Sequence, residues 1–153
     1  MADLATNPVS ALPALYGLYV LIVEDSADLA FNMQTLFLRH GAIGVDLRVS
    51  ADAARERMLM PPYPDIVLLD YTLRVRPGGE QTSGLDLALW MRGQEHLQLH
   101  NTKRVLFSGL ASSVVDVALR DVPSSLDDPV FHLVVQKGEI GVREIVTYLA
   151  ELR

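Results

Sequence analysis

Cysteine is absent from this chain of 153 residues. That absence excludes disulfides, thiolate metal sites and a thiol nucleophile. Positive charge is also scarce: 13 Lys and Arg stand against 19 Asp and Glu, a formal net charge of -6. A surface of that sign argues against nucleic acid or an anionic membrane as a direct partner. No apolar run approaches the roughly 18 residues that a membrane span needs. The opening MADLATNPVSALPALYG carries Asp3 and no basic n-region, so no secretory leader is read there and a cytoplasmic location is the default expectation. The histidines His40, His96, His100 and His132 fall at no metal-ligand spacing, and there is no internal repeat or low-complexity tract. What remains is half hydrophobic residues and 21% charged ones, the composition of one ordinary globular domain with room for a real core.

Residues 1–17, with Pro8, Pro13 and many small side chains, read as an extended tail ahead of a domain over 18–153. From Leu18 two kinds of segment alternate. Leu18–Val23 is a short continuous apolar run, as expected of a strand covered on both faces. Ser26 then opens a helix whose apolar positions Leu29, Met33, Leu36 and Phe37 follow the 3.6 period, with Gly41 closing it. Ile43, Val45, Leu47 and Val49 alternate strictly, which predicts a half-exposed strand near a sheet edge. Ser50 caps a second helix to about Leu59, and Pro61, Pro62 and Pro64 break the chain before the apolar strand Asp65–Asp70. A polar loop with Arg74, Arg76, Pro77, Gly78 and Gly79 follows. The next helix runs from about Gly84 to Arg92 and is expected to bury Leu85, Ala88 and either Leu89 or Trp90. Arg104–Ser108, Ser113–Arg120, the loop Asp121–Pro129, Phe131–Gln136 and a helix marked by Val142, Ile145, Val146 and Leu149 complete the chain. Five strands alternating with five helices predict an α/β domain with a doubly wound parallel sheet.

Ligands of open parallel sheets bind outside the carboxyl ends of the strands, where the strand order reverses. Here Glu24 and Asp25 follow the first strand, Asp70 closes the third, Ser108 closes the fourth and Lys137 follows the fifth. In the order 2-1-3-4-5 the first and third strands are neighbours, so Asp25 and Asp70 are brought together. Clustered carboxylates repel one another unless a proton or a cation intervenes. Oxygen ligands with no histidine or cysteine nearby favour Mg2+ or Mn2+ over zinc. Lys137 is a point charge able to pair with an acid or a phosphoryl oxygen, and Ser108 can donate a hydrogen bond to the same group.

An acidic pair after the first strand, Asp after the third, Ser with a small neighbour after the fourth and Lys after the fifth resemble the receiver domain of two-component response regulators. The resemblance covers about residues 18–152 and implies a flavodoxin-like receiver fold. It further implies that Asp70 is the phosphoacceptor, taking its phosphoryl group from a histidine kinase or phosphotransfer protein. Asp25 and Asp70 would bind Mg2+ directly with the backbone carbonyl of Thr72, and Glu24 through a metal-bound water. Ser108 and Lys137 would each hold a phosphoryl oxygen, with Gly109 leaving room for the group. The surface of the fourth helix, fifth strand and fifth helix would then be read by an output protein or by a second copy in a homodimer. The product is a state rather than a metabolite, so no enzyme is expected.

Four departures from the family pattern stand out. Val134 occupies the place of the usual aromatic switch residue, and Gly138 that of the usual proline. The loop from Asp70 to Gly84 is long enough to cover the site and alter phosphoryl lifetime, and the loop Asp121–Pro129 is expanded. Val134 and Gly138 motivate an alternative, a receiver-like scaffold that works without phosphorylation. A further alternative is a Mg2+-dependent aspartyl-phosphate phosphatase, since Asp70-Tyr71-Thr72 resembles the nucleophile segment of haloacid-dehalogenase-type phosphatases; the second aspartate of that motif is replaced here by Thr72. Arg74 and Arg76 read as solvated loop residues, and Trp90 and Tyr148 as packing residues.

Overall fold

The computed structural model describes residues 12–94, 98–125, 127–138 and 141–153, so residues 1–11 of the expected tail lie outside the described residues. From the N-terminus the elements are β1 (Tyr19–Val23), α1 (Ala27–Arg39), β2 (Gly44–Arg48), α2 (Ala51–Met58), β3 (Ile66–Leu69) and a hairpin of β4 (Thr72–Arg74) and β5 (Gln81–Ser83). There follow α3 (Gly84–Arg92), a 3-10 turn (Gln98–Asn101), β6 (Lys103–Ser108), α4 (Ser112–Arg120), β7 (Leu133–Gln136) and α5 (Val142–Glu151). Five of the strands form one parallel sheet in the order β2-β1-β3-β6-β7. Setting the hairpin aside, this is the expected order 2-1-3-4-5.

The apolar strands are continuous because the sheet is covered on both faces, and period-2 geometry divides their side chains between two cores. Val20, Ile22, Ile66, Leu68, Val105, Phe107 and Val135 pack with Met33 and Phe37 of α1 and Ile145, Val146 and Leu149 of α5. Leu21, Val23, Val67 and Leu69 pack on the other face with Ala54 and Met58 of α2 and with α3. Each such side chain stabilises by about 1.5–3 kcal/mol through burial. β2 is an outer strand, as expected, but it is shorter than the alternation predicts: Val45 is buried, while Ile43 and Val49 flank the strand and are exposed.

Three local expectations change. α3 buries Leu85, Leu87, Ala88 and Met91, while Leu89 and Trp90 are only partly covered; its apolar residues surround the helix, so their spacing does not select a face. Ser26 occupies the N-cap of α1, but its hydroxyl makes no cap bond, in contrast to Ser50, whose Oγ accepts from Ala53 N. Leu15, read as tail, is fully buried in the α1–α5 core, and its N–H donates to His40 O at 2.9 Å. Gly41 closes α1 with φ +93, and a Cβ there would strike Pro13, so the turn accepts the preceding segment only with glycine.

Candidate functional site at the carboxyl ends of the strands

β1 and β3 are adjacent and in register, and Asp70 N donates to Val23 O at 3.0 Å just where the two strands end. The residues that follow, Glu24 and Asp25 on one strand and Asp70 on the other, therefore share one edge. One carboxylate oxygen from each of the three lies within 4.8 Å of the other two. Their environments differ: Glu24 is 3% exposed, Asp70 is half-buried and Asp25 faces solvent. β6 and β7 carry the other partners to the same edge, with Lys137 N donating to Ser108 O at 2.7 Å. Lys137 Nζ lies 2.7 Å from Glu24 Oε2 and 3.5 Å from Asp70 Oδ2. It also stands 5.4 Å from the centre of the buried Phe107 ring, a cation–π contact that steadies the ammonium.

Burial pushes the Glu24 carboxyl up to about 7; the hydrogen bond from Lys137 pulls it down, and the charge of Asp70 pushes it up again. Ser26 N donates to its other oxygen at 3.2 Å, so both Glu24 oxygens are engaged. Three acids against one lysine leave a surplus of negative charge at this edge. The donor set fits a hard divalent cation: all ligand atoms are oxygen, and one from each acid lies within 4.8 Å of the other two.

Ser108 is buried, and its Oγ accepts from Leu110 N at 3.0 Å, which leaves the hydroxyl hydrogen for another acceptor. A Cβ at Gly109 would meet only the Lys137 stem, at 3.8 Å. Thr72 begins β4. Tyr71 O accepts from Gly84 N and Val75 N donates to Glu80 O, so the hairpin's cross-strand bonds fall on odd positions. Thr72 pairs with Ser83 at a non-hydrogen-bonded position, which turns its carbonyl out of the ladder and leaves it free to bind elsewhere.

The long segment after Asp70 is the β4–β5 hairpin rather than an irregular loop. It is anchored by buried Leu73 and by Asp52 N donating to Val75 O at the start of α2. Arg74 donates to Gly79 O within the hairpin, and both Arg74 and Arg76 are exposed. Two residues matter here that the motif pattern did not single out. A Cβ at Gly84 would collide with the backbone oxygen of Asp70, so glycine alone lets α3 start against that residue. Gln136 Nε2 donates to Leu110 O at 3.0 Å, tying the segment after Ser108 to β7. Gly84 lies fourteen positions after Asp70, and no local pattern signals that they touch.

No family model matches the sequence, and no curated protein matches it. Solved structures do. A response regulator receiver domain (CheY-like) from Methylobacillus flagellatus aligns over 90% of this chain and 99% of its own, with TM-score 0.63 and 23% identity. The receiver domain of a Francisella response regulator aligns over 89% and 96%, with TM-score 0.67 and 17% identity. A two-component response regulator from Clostridium difficile aligns over 88% and 94%, with TM-score 0.65 and 14% identity. Identities this low speak to architecture. Together with the strand order, they establish that this chain has the fold of response-regulator receiver domains.

Proposed function

We propose that the protein is a phosphorylation-controlled signalling switch in which Asp70 accepts a phosphoryl group from a phosphohistidine on a kinase or phosphotransfer partner. The observation that carries this reading is the single cation among three acids: Lys137 Nζ beside Asp70 Oδ2 at 3.5 Å and Glu24 Oε2 at 2.7 Å. An Asp70 oxygen attacks phosphorus, the P–N bond breaks, and the imidazole leaves with its electron pair. Phosphoryl transfer asks a protein chiefly for alignment and for groups that neutralise charge on the three outer oxygens. Lys137 supplies one such charge, already held in place by Phe107 and Glu24. Ser108 supplies a hydrogen bond from a hydroxyl held in place by Leu110 N.

Glu24, Asp25, Asp70 and the Thr72 carbonyl would hold Mg2+, which when bound supplies positive charge next to the transferred group. No helix among the described residues is long and apolar enough to cross a membrane. The exposed side chains Val114, Val117, Val134 and Tyr148 support the surface of α4, β7 and α5 as the one that a partner or second copy reads.

The test is intact mass after incubation with acetyl phosphate, with and without Mg2+, for wild type and Asp70→Asn. A gain of one phosphoryl group that needs Mg2+ and is lost in the variant supports the switch. No adduct, together with partner binding that survives Asp70→Asn, moves the reading to a scaffold independent of phosphorylation. Val134 and Gly138 are the residues that favour that second reading, since neither the aromatic switch nor a cis Lys–Pro bond is present.

A further inference from the structure

Leu110, two residues past Ser108, is gripped from both sides. Its N–H donates to Ser108 Oγ and its carbonyl accepts from Gln136 Nε2, each at 3.0 Å. Gln136 is the last residue of β7, pairs in register with Ser108 and immediately precedes Lys137. The remaining amide atom, Oε1, is buried with no hydrogen-bond partner among the described residues. Buried polar atoms left unpaired are costly and rare, so a half-satisfied amide at this place calls for a role.

What this clamp holds is the entry to α4. The N-cap of that helix is Ala111, which offers no side-chain cap bond, and Val115 is its single buried residue. Val114 and Val117 face solvent. Few other contacts fix where α4 begins. Val134, at the place where an aromatic ring would link strand and loop, is itself 47% exposed and fills no such role.

We propose that Gln136 is the positioning residue that couples Ser108 to α4. The inference rests on Asp70 being the phosphoacceptor. When the Ser108 hydroxyl turns toward an oxygen carried by Asp70, it draws Leu110 by the N–H. Gln136 resists at the carbonyl of the same residue. The loop therefore has a clamped and a released position, and the start of α4 follows it, because the helix's other core contacts, Val115, Ala118 and Leu119, lie further along.

The experiment is backbone amide NMR with beryllofluoride as the phosphoryl mimic, in Mg2+, on wild type and Gln136→Met, which keeps side-chain length and removes the donor. Gln136→Glu removes the same donor and replaces the methionine variant if that one does not fold. In wild type, beryllofluoride is expected to shift the amides of residues 108–110 and of α4 together. In the variant it still binds and still shifts 108–110, but α4 is already released by the missing clamp, so its further shift is lost. Without beryllofluoride, α4 amides in the variant exchange about tenfold faster than in wild type. Full transmission of the shift in both variants overturns the coupling and leaves the phosphoacceptor reading intact. Failure of wild type to bind beryllofluoride overturns that reading, and the coupling with it.

Discussion

The two ends of the central sheet carry charge in opposite ways. At the carboxyl end, three acids share one lysine, and Asp25 remains open to solvent. At the amino end a cation is buried without a salt bridge among the described residues, Asp128 acting on it only from a distance. Arg104 is 2% exposed; its Nε and one terminal nitrogen donate to Val130 O and Pro129 O, each at 2.8 Å, and the other terminal nitrogen lies 3.5 Å from Thr102 O. Arg92 grips the same expanded loop, donating to Pro123 O at 2.6 Å. Burial lowers the Arg104 pKa, yet a guanidinium starts so high that it stays charged. Backbone dipoles satisfy the Arg104 charge, so that charge is not left over for a ligand. The carboxyl end has negative charge left over, which on the proposed reading would draw in a cation. The degree of satisfaction, more than burial or charge itself, separates the structural end from the chemical one.

The largest expected effect tests the carboxyl end. Lys137→Met should slow adduct formation with acetyl phosphate by about a hundredfold, the usual cost of losing one preorganised charge-stabilising donor. Thermal stability should change far less; the reverse pattern would place Lys137 on the structural side. Arg104→Ala should do the opposite, costing about 3 kcal/mol because it empties a buried volume and strands three carbonyls. For a domain of this size that is roughly 10 °C in Tm, with adduct formation per folded molecule unchanged.

Gly84→Ala lies between the two classes. The added methyl meets the Asp70 carbonyl, and an overpacked contact of this kind costs about 2 kcal/mol. It should also slow phosphorylation, because the group displaced is the backbone of the proposed acceptor, Asp70. Retention of full rate would mean that α3 yields instead of Asp70.

The smallest effect concerns pH. Arg104 N donates to His132 Nδ1 at 2.9 Å, and burial pushes the imidazole down to about 4, with the Arg104 and Lys103 charges adding to it. The unfolded chain, with an ordinary histidine near 6.5, therefore binds more protons between those values. This contribution is complete above about 6.5 and is lost as pH falls toward 4. Urea midpoints of wild type and His132→Asn, which keeps an acceptor oxygen, should diverge as pH drops through that window, with wild type losing more. Parallel curves would show that His132 is not held neutral. Direct comparison of the pair is needed because Glu24, raised to about 7, contributes the opposite slope between about 4.5 and 7.

Much of this plan is visible along the chain. Continuous apolar runs ending in Glu24, Asp70, Ser108 and Lys137 predict the strands, and the strand order then predicts which ends meet. The hairpin is not visible, because Thr72–Arg74 and Gln81–Ser83 are three residues each, too short for the alternation of the first to mark a strand, and the second is wholly polar. The burial of Arg104, first residue of the expected strand Arg104–Ser108, is not visible either, since the carbonyls that satisfy it come mostly from a loop 25 and 26 positions away.

By itself the sequence determines the α/β alternation, the two-sided sheet and the placement of acids, serine and lysine at strand ends, because periodicity and strand termini are local properties. Only the tertiary structure decides how those groups differ. Glu24 and Asp25 are neighbours of the same charge, yet Glu24 is buried, and that burial raises its carboxyl even though Lys137, 113 positions away, pulls it back down. Gly84 is required because Asp70 stands against it, and Gln136 gains a partner because Leu110 lies beside it. Solvation and contact depend on what the fold brings close, and that information is not carried by any short stretch of the chain.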